Sequence, residues 1–322
     1  MYTGNQSTVT EFILLGLSSD PLVQIVLFHI FLIIYMIALS GNILLMVAVR
    51  TDKRLHTSMY IFLCSLSFLD ICYTSSIVPN TLVHFLLVKK TISFIGCAVQ
   101  FFFSLFLGVT ECLLLAFMSY DRYVAICSPL HYNMIMTIRV SLMMISMSWV
   151  TGSIVSSIDT CFTFTLTFCG PNTINHFFCE LPLMLKLSCS DISTVNILKM
   201  VGTAIVLIIP LSLILISYIR IIAAVMTIRA GKNKAFSTCI SHLVVVVIFY
   251  GTAMFMYGRP EHSVTADTDK RVAVFYTMIT PMLNPLIYSL RNKDVQRAMS
   301  RLLVVVFLSQ NDNQSNIIIL NV

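Results

Sequence analysis

Charged side chains are scarce in this chain of 322 residues. Asp, Glu, Lys and Arg make up 11% of the sequence, whereas soluble globular domains hold about a quarter. Hydrophobic residues make up 57%, and the mean hydropathy is +0.90. This composition excludes an ordinary soluble domain. The net charge of +6 is small, and basic loops beside a membrane account for it without a nucleic-acid partner.

The motifs of catalytic chemistry are also absent. The chain has no G-x-S-x-G turn, no H-E-x-x-H pair, no glycine-rich phosphate loop and no pair of aspartates placed within apolar segments. We therefore expect no enzyme activity. His176, Cys179 and Glu180 stand together in HFFCE, but a metal ion there would compete with a disulfide for Cys179. We expect no metal site.

Long apolar segments are what the sequence does contain. About 20 helical residues span a ~30 Å hydrocarbon core, and seven segments reach that length. Backbone groups in lipid must be paired internally, so these segments are helices. The prediction is an all-α membrane protein, a seven-transmembrane helix bundle in one domain covering 1–322. The predicted spans are about 23–49, 59–80, 96–127, 139–164, 196–227, 236–258 and 271–290.

Lys and Arg are divided unevenly between the two sets of connecting segments. One set, which includes the C-terminal tail, holds 13 of the 20 basic residues. Basic loops mark the cytoplasmic side. We therefore expect a multi-pass plasma-membrane protein with an extracellular tail at 1–22 and a cytoplasmic tail at 291–322. That second tail begins with RNKDVQRAMSRLLVVVFL, which predicts a short amphipathic helix on the lipid bilayer.

The N-terminal tail has no Lys or Arg and no apolar core, so it does not resemble a cleavable signal peptide. Asn5-Gln6-Ser7 is a glycosylation sequon on the expected outer side, which makes Asn5 a candidate acceptor. Asn313-Gln314-Ser315 has the same pattern but falls on the expected cytosolic side, where this modification does not occur.

Four cysteines fall at or beyond the expected outer boundary of the membrane: Cys97, Cys169, Cys179 and Cys189. Extracellular cysteines oxidise, and four of them permit three pairings. Cys97 begins the third helix and needs a partner from the long loop at about 165–195. We expect Cys97–Cys179 and Cys169–Cys189, which would hold this loop over the mouth of the bundle.

Polar residues within the spans are few. Asp70 and Glu111 are ionisable, and Asn42 and Asn284 lie at comparable depth. Such residues are unfavourable in lipid and suggest function. Two interpretations stay open, a hydrogen-bonded packing network and a hydrated layer holding a cation such as Na⁺. A proton relay needs a chain of ionisable groups, and one layer does not supply it.

The third helix connects these features. Cys97 and Arg122 are 25 residues apart, or about 38 Å of helix. Glu111 lies near the middle of that length, and Asp121-Arg122-Tyr123 ends the helix at the expected cytoplasmic face.

Several motifs resemble those of the odorant (olfactory) receptors, a family of rhodopsin-like G-protein-coupled receptors. They are LHTSMYIFLCSLSFLD (55–70), MSYDRYVAICSPLHY (118–132), KAFSTCISHL (234–243) and PMLNPLIYSLRNKDV (281–295). Ser58 stands where the family usually has proline, and Ser119 where it has alanine. Phe249-Tyr250-Gly251 replaces the Trp and Pro of most rhodopsin-like receptors, as in this family. The moderate outer loops favour the tetrapod-type class.

The resemblance implies a receptor in the cilia of olfactory sensory neurons. It would bind small, mostly neutral volatile odorants in the outer half of the bundle. It would then activate a stimulatory olfactory-type G protein and raise cyclic AMP. Alternatives are a chemosensory receptor in another tissue and a channel or transporter.

Two sets of residues carry this expectation. The switch would comprise Asp121, Arg122, Tyr123, Asn284, Pro285 and Tyr288, with Arg122 released as the inner end of helix six moves outward. Inward-facing positions predict an uncharged pocket. Its residues are Ser104, Leu105, Gly108, Val109, Cys112, Gly202, Thr203, Val206, Tyr250, Ala253, Tyr257 and Thr277.

Overall fold

Eight helices make up most of the chain in the computed structural model, which describes residues 9–169, 171–227, 232–258 and 266–302. The first four are α1 (Pro21–Thr51), α2 (Ser58–Leu86), α3 (Phe94–Cys127) and α4 (Ile138–Phe164). α5 runs through Ser193–Thr203, a π-helical turn at Ala204–Ile208, and Ile209–Thr227. α6 is Lys232–Tyr257. α7 runs through Ala266–Val274, a π-helical turn at Phe275–Ile279, and Thr280–Arg291. α8 is Lys293–Leu302, at 96° to α7.

The helices match the predicted seven-helix bundle. Within the described ranges, α1 to α6 are each long and apolar enough to cross a membrane, and α7 meets the same test together with α8. α2 continues six residues past its predicted end, and α7 begins five residues before its predicted start. His84 and Asp269 are among the polar residues in these extensions, and both are buried in the fold.

Local signals set the helix ends. Asp20 precedes Pro21, and its carboxylate accepts a hydrogen bond from the backbone N–H of Leu22 at 2.8 Å. Ser93 caps α3 and Thr137 caps α4 in the same way. These side chains satisfy N–H groups that have no partner within the helix. At the start of α2, the Ser58 hydroxyl instead donates to the carbonyl of Met136 at 2.8 Å, which connects α2 to the segment before α4.

α3 lies at the centre of the bundle, with Leu114 and Leu115 fully buried. α4 packs closely against it at Gly152, where a Cβ atom would lie 2.9 Å from the Phe106 carbonyl oxygen. α1 and α7 approach each other at Gly41, where a Cβ atom would lie 3.1 Å from Cγ of Pro285. Glycine at these positions allows the close helix packing that small residues provide in membranes.

A small sheet covers one end of the bundle. Strand β1 (Glu11–Leu14) lies between β2 (Thr91–Ser93), to which it is antiparallel, and β3 (Thr173–Ile174), to which it is parallel. We call the sheet and residues 165–192, except Gly170, the lid. Phe12 and Leu14 point into its core and are almost fully buried. The sequence predicts no element in residues 1–22, because a strand of four residues has too short a pattern to recognise.

Two disulfides complete the lid, in the pairing that we expected. Cys97, in the first turn of α3, is bonded to Cys179, with Cα atoms 5.6 Å apart. Cys169 is bonded to Cys189, with Cα atoms 5.9 Å apart. The first bond attaches the lid to the bundle, and the second closes a loop within the lid. We call this the disulfide end of the bundle and the opposite one the Arg122 end.

Candidate ligand cavity and switch region

A cavity lies beneath the lid at the disulfide end, bordered mainly by α3, α4, α5, α6 and α7. Its empty volume is about 780 Å³, including the open mouth, which is within the range of small-molecule sites. Ten of the twelve predicted pocket residues line it. They are Ser104, Leu105, Gly108, Val109, Cys112, Gly202, Thr203, Val206, Ala253 and Tyr257.

The other two predicted residues, Tyr250 and Thr277, do not line this cavity, because their hydroxyls are used inside the bundle. Tyr250 is buried, and its hydroxyl donates to the Cys112 carbonyl at 2.9 Å, which ties α6 to α3. The Thr277 hydroxyl donates to the Ala273 carbonyl of its own helix at 2.7 Å.

The lining also includes residues outside the predicted pocket, among them Tyr73, Asp159, Lys199 and Tyr276. Asp159 and Lys199 correct the expectation of a pocket without charge. Both lie within predicted spans, Asp159 in 139–164 and Lys199 in 196–227. The predicted pocket contains no residue of helix four, so Asp159 and Val155 are additions from the structure.

Two π-helical turns border the cavity. Val206 and Leu207 lie in the turn of α5, and Tyr276 in that of α7. Each turn ends two residues before a proline, Pro210 in α5 and Pro281 in α7. A proline inside a helix has no N–H to donate and its ring crowds the carbonyl four residues earlier. A wider turn relieves that conflict, and such turns are frequent at functional sites. The prolines are the sequence signal for this feature.

Glu180 connects the lid to two helices of the bundle. It follows Cys179 directly, so the disulfide to α3 holds it in place. Its Oε1 atom accepts hydrogen bonds from the hydroxyls of Tyr257 on α6 (3.2 Å) and Tyr276 on α7 (2.9 Å). Glu180 is buried beside these rings. One carboxylate therefore joins the lid, α6 and α7 at the edge of the cavity.

His176 lies in the core of the lid and is fully buried. Its ring stacks on Phe177, with centroids 4.7 Å apart, and meets Phe178 edge-on. Burial, with a smaller contribution from the positive charge of Lys270, lowers the pKa of His176 to about 3. The imidazole is therefore neutral at physiological pH. Among the described residues, no group of three His, Cys, Asp or Glu side chains is placed to hold a metal ion.

The predicted polar layer is brought together in the middle of the bundle. Asn284 Nδ2 donates to both carboxylate oxygens of Asp70, at 3.0 and 3.2 Å. Asn42 Nδ2 donates to the Pro281 carbonyl at 3.0 Å. Glu111 is buried with them. The Oδ1 atoms of Asn42 and Asn284 and Oε1 of Glu111 are buried without a hydrogen-bond donor from the described residues.

The Arg122 end contains a second polar cluster. The Asp121 carboxylate is buried and forms an ion pair with Arg122 through Oδ2. Its Oδ1 atom accepts a hydrogen bond from the Tyr132 hydroxyl at 2.8 Å. Burial, and then the Asp121 charge, raise the pKa of Tyr132, so this phenol remains a donor.

A second cavity, with an empty volume of about 460 Å³, adjoins this cluster. Arg122, Ser241 and His242 line it, as does Tyr288. On α6, His242 Nδ1 lies 2.6 Å from the Tyr218 hydroxyl of α5. Arg122 therefore lies across this second cavity from Ser241 and His242 of α6. Its ion-pair partner is Asp121.

The remaining switch residues have different surroundings. Tyr123 is only partly buried and packs beside Tyr120. Pro285 is the contact of α7 with Gly41 of α1. The Tyr288 hydroxyl is buried without a hydrogen-bond partner in the described part of the chain. Asn5 and Asn313 lie outside the described residues.

Comparisons with known proteins agree on the family. A family model described as olfactory receptor matches residues 31–305. Olfactory receptor 13D1 of Homo sapiens is 51% identical over 306 residues, covering 94% of this chain and 88% of that protein. Olfactory receptor 5AP2 of Mus musculus is 51% identical over 302 residues, covering 93% of this chain and 95% of that protein. The crystal structure of squid rhodopsin has a similar fold, with a TM-score of 0.74 at 19% identity, covering 90% of this chain and 87% of that one.

Proposed function

The chain belongs to the olfactory receptor family, with the fold of the rhodopsin-like G-protein-coupled receptors, and we propose how it acts as an odorant receptor. Its partners are an odorant and a G protein. We propose that small, mostly neutral volatile molecules bind in the cavity beneath the lid. Binding activates a stimulatory olfactory-type G protein and raises cyclic AMP. As a receptor, the protein is not an enzyme.

The cavity is the observation that carries this proposal. Its inner part is apolar, with Val109, Val206 and Phe249 in the lining, and hydroxyl groups such as Ser104 lie nearer the lid. An apolar site with a few convergent polar groups suits a small molecule with one polar head. A ligand of ~12 heavy atoms needs about 0.6 kcal/mol per atom to bind at ~10 μM, which is an ordinary ligand efficiency.

The connection from the cavity to Arg122 follows from the contacts of α6. At the disulfide end α6 is held by Tyr257 and Glu180, and two turns further along by Tyr250, which bonds to α3. A ligand that binds more tightly to one arrangement of α6 shifts the equilibrium toward that arrangement. We propose that α6 then moves away from α3 at the Arg122 end. The second cavity widens, Arg122 exchanges Asp121 for new partners, and the G protein binds there.

The distribution of basic residues supports the orientation. Segments at the Arg122 end hold 13 of the 20 Lys and Arg residues, and basic segments stay in the cytoplasm. We propose that the lid is extracellular, with a glycan on Asn5, and that α8 lies on the inner leaflet. Val295 and Ala298 of α8 are buried, whereas Arg297 and Arg301 are exposed toward anionic lipid. The cilia of olfactory sensory neurons are the proposed location.

We also propose that the polar layer binds Na⁺. The Asp70 carboxylate, Glu111 Oε1 and the Oδ1 atoms of Asn42 and Asn284 are all oxygen atoms, the ligand type that hard cations prefer. The last three have no protein donor among the described residues, which supports a site for a cation. A bound ion would neutralise carboxylate charge and hold α1, α2, α3 and α7 together. Replacing Na⁺ with a large organic cation should then lower thermal stability in the wild type but not in Asp70→Asn.

An odorant panel with a cyclic AMP readout tests the main proposal. An agonist should raise cyclic AMP in cells expressing the wild type. Arg122→Ala should abolish this response while the receptor still reaches the cell surface, because the variant lacks the group that changes partners. Lys186→Ala, a cation in the lid, is the matched control and should signal normally. Full signalling by Arg122→Ala at equal surface expression would refute the role given to Arg122.

A further inference from the structure

Asp159 is a charged residue of the cavity that the proposed function leaves unused. It lies on α4, one turn beyond Val155, and both residues line the cavity. Its side chain is partly buried, and it has no hydrogen bond or ion pair with any residue that the structure describes. An unpaired carboxylate within a membrane span is unfavourable, and such residues face functional cavities.

The other buried carboxylates differ from Asp159. Asp70 accepts hydrogen bonds from Asn284, Asp121 pairs with Arg122, and Glu180 accepts hydrogen bonds from two tyrosines. Glu111 has an unpaired oxygen, but it belongs to the polar layer, and neither Glu111 nor the fifth buried carboxyl, Asp269, lines the cavity. Asp159 thus combines an unused acceptor with direct access to the cavity.

Several donors around the cavity are, in contrast, already engaged. The hydroxyls of Tyr257 and Tyr276 donate to Glu180. The Thr252 hydroxyl donates to carbonyls of its own helix, at 2.9 Å to Ile248 and 2.8 Å to Phe249. Lys199 has a partner of its own. A ligand that only accepts hydrogen bonds can bind neutral hydroxyls such as those of Ser104 and Thr203, whereas a ligand that donates can also bind an unpaired carboxylate, and hydrogen bonds to a charged group are the stronger ones.

We infer that Asp159 binds the hydrogen-bond-donating head group of the ligand, a hydroxyl or an ammonium, while the apolar body of the ligand lies against Val109, Val206 and Phe249. The preferred ligands are therefore small alcohols or amines rather than aldehydes, ketones or ethers of the same size. This inference rests on the proposed function, which takes the cavity as the odorant site.

The test compares matched ligands on the full-length receptor. The panel consists of hexyl to decyl and phenylalkyl alcohols, amines, aldehydes and methyl ethers. Binding is measured as thermal stabilisation of the purified receptor, and signalling as cyclic AMP in cells. In the wild type, alcohols or amines should bind more tightly than the aldehyde and ether on the same carbon body.

Asp159→Asn removes the charge with little change in shape. It should weaken amine binding by about tenfold or more, and alcohol binding by a smaller factor, because hydrogen bonds to a charged group are the stronger ones. Affinity for aldehydes and ethers should not fall, because the Asn amide can itself donate to an accepting oxygen. Asp159→Glu should restore part of the donor preference. Asp267→Asn, an exposed carboxyl on α7, is the matched control and should change nothing.

Three outcomes would overturn the inference. They are equal losses for donors and acceptors in Asp159→Asn, tighter wild-type binding of aldehydes or ethers than of alcohols and amines, and no binding by any donor-bearing ligand. The wild-type comparison decides the matter even if the Asn variant fails to fold. Binding with the expected preference but without cyclic AMP would instead refute the proposed coupling and leave the inference intact.

Discussion

The two ends of the bundle are held together by different kinds of bond. At the disulfide end, two covalent bridges and a three-stranded sheet join the N-terminal segment, the lid and α3. At the Arg122 end, single side-chain hydrogen bonds connect the elements, as from Tyr132 to Asp121 and between Tyr60 and Asn292. The first end is built to keep one shape, whereas the second can exchange partners.

This difference explains how one receptor can be both selective and switchable. A net hydrogen bond stabilises a fold by about 1 kcal/mol, so a few of them can be exchanged for the binding energy of a small ligand. A disulfide that closes a long loop contributes several times more. Both kinds of bond meet at Glu180. The disulfide at the adjacent Cys179 fixes its position in the lid, whereas its contacts with α6 and α7 are hydrogen bonds.

The largest effect should come from breaking the disulfide end. Chain-entropy estimates for closing the 82-residue separation of Cys97 and Cys179 give about 4.5 kcal/mol, against about 3.3 kcal/mol for the 20-residue separation of Cys169 and Cys189. The double variant Cys97→Ser/Cys179→Ser should therefore lose more thermal stability and surface expression than Cys169→Ser/Cys189→Ser.

Thermal unfolding of the purified receptor measures this order. Cys161→Ser serves as control, because Cys161 is an exposed free cysteine, and it should behave as the wild type. A larger loss of stability in Cys169→Ser/Cys189→Ser than in Cys97→Ser/Cys179→Ser would contradict this order. Attachment of the lid to α3 would then not be the main way in which the disulfides stabilise the receptor.

A smaller effect should follow from acidifying the lid. His176 has a pKa of about 3 in the fold and about 6.5 when unfolded. Between these values the unfolded chain binds a proton that the folded lid does not, so stability falls as pH falls below about 6.5. The loss between pH 7 and pH 5 should be about 2 kcal/mol.

Two matched variants distinguish the titration of His176 from the titration of other groups. His176→Phe keeps an aromatic ring against Phe177 and should show a flatter dependence of unfolding temperature on pH. His131→Gln removes an exposed histidine and should leave the wild-type slope. An unchanged slope in His176→Phe would show that His176 is not the group responsible.

The sequence predicts the two ends unequally well. At the Arg122 end, MSYDRYVAIC places an ion pair at the end of a helix, and the structure shows Arg122 paired with Asp121 there. Long apolar segments predict the helices, and the cysteine positions predict the pairing. The helices and the ion pair follow from local sequence patterns, and the disulfides had to be chosen from three possible pairings.

The disulfide end depends more on contacts between distant segments. Strand β1 pairs with β2 and β3, which are about 80 and 160 residues away, and no local pattern signals a four-residue strand. Asp159 and Tyr276 reach the cavity through the rotation of their helices, which in α7 includes a π-helical turn. Tyr250 has a suitable position on α6, but its hydroxyl bonds to Cys112 rather than facing the cavity.

The smallest effect should be seen at the Arg122 end, from Tyr132→Phe. The variant removes one donor from the buried Asp121 carboxylate, at 2.8 Å, and leaves the ion pair with Arg122 in place. Loss of about 1 kcal/mol from the resting arrangement would raise basal cyclic AMP up to about fivefold. Tyr120→Phe is the control, since Tyr120 is exposed and lies on the same helix end as Asp121. Basal activity that stays at the wild-type level, at equal surface expression, would mean that Tyr132 does not hold Asp121 in its resting contact, and that the Arg122 end relies on the ion pair alone.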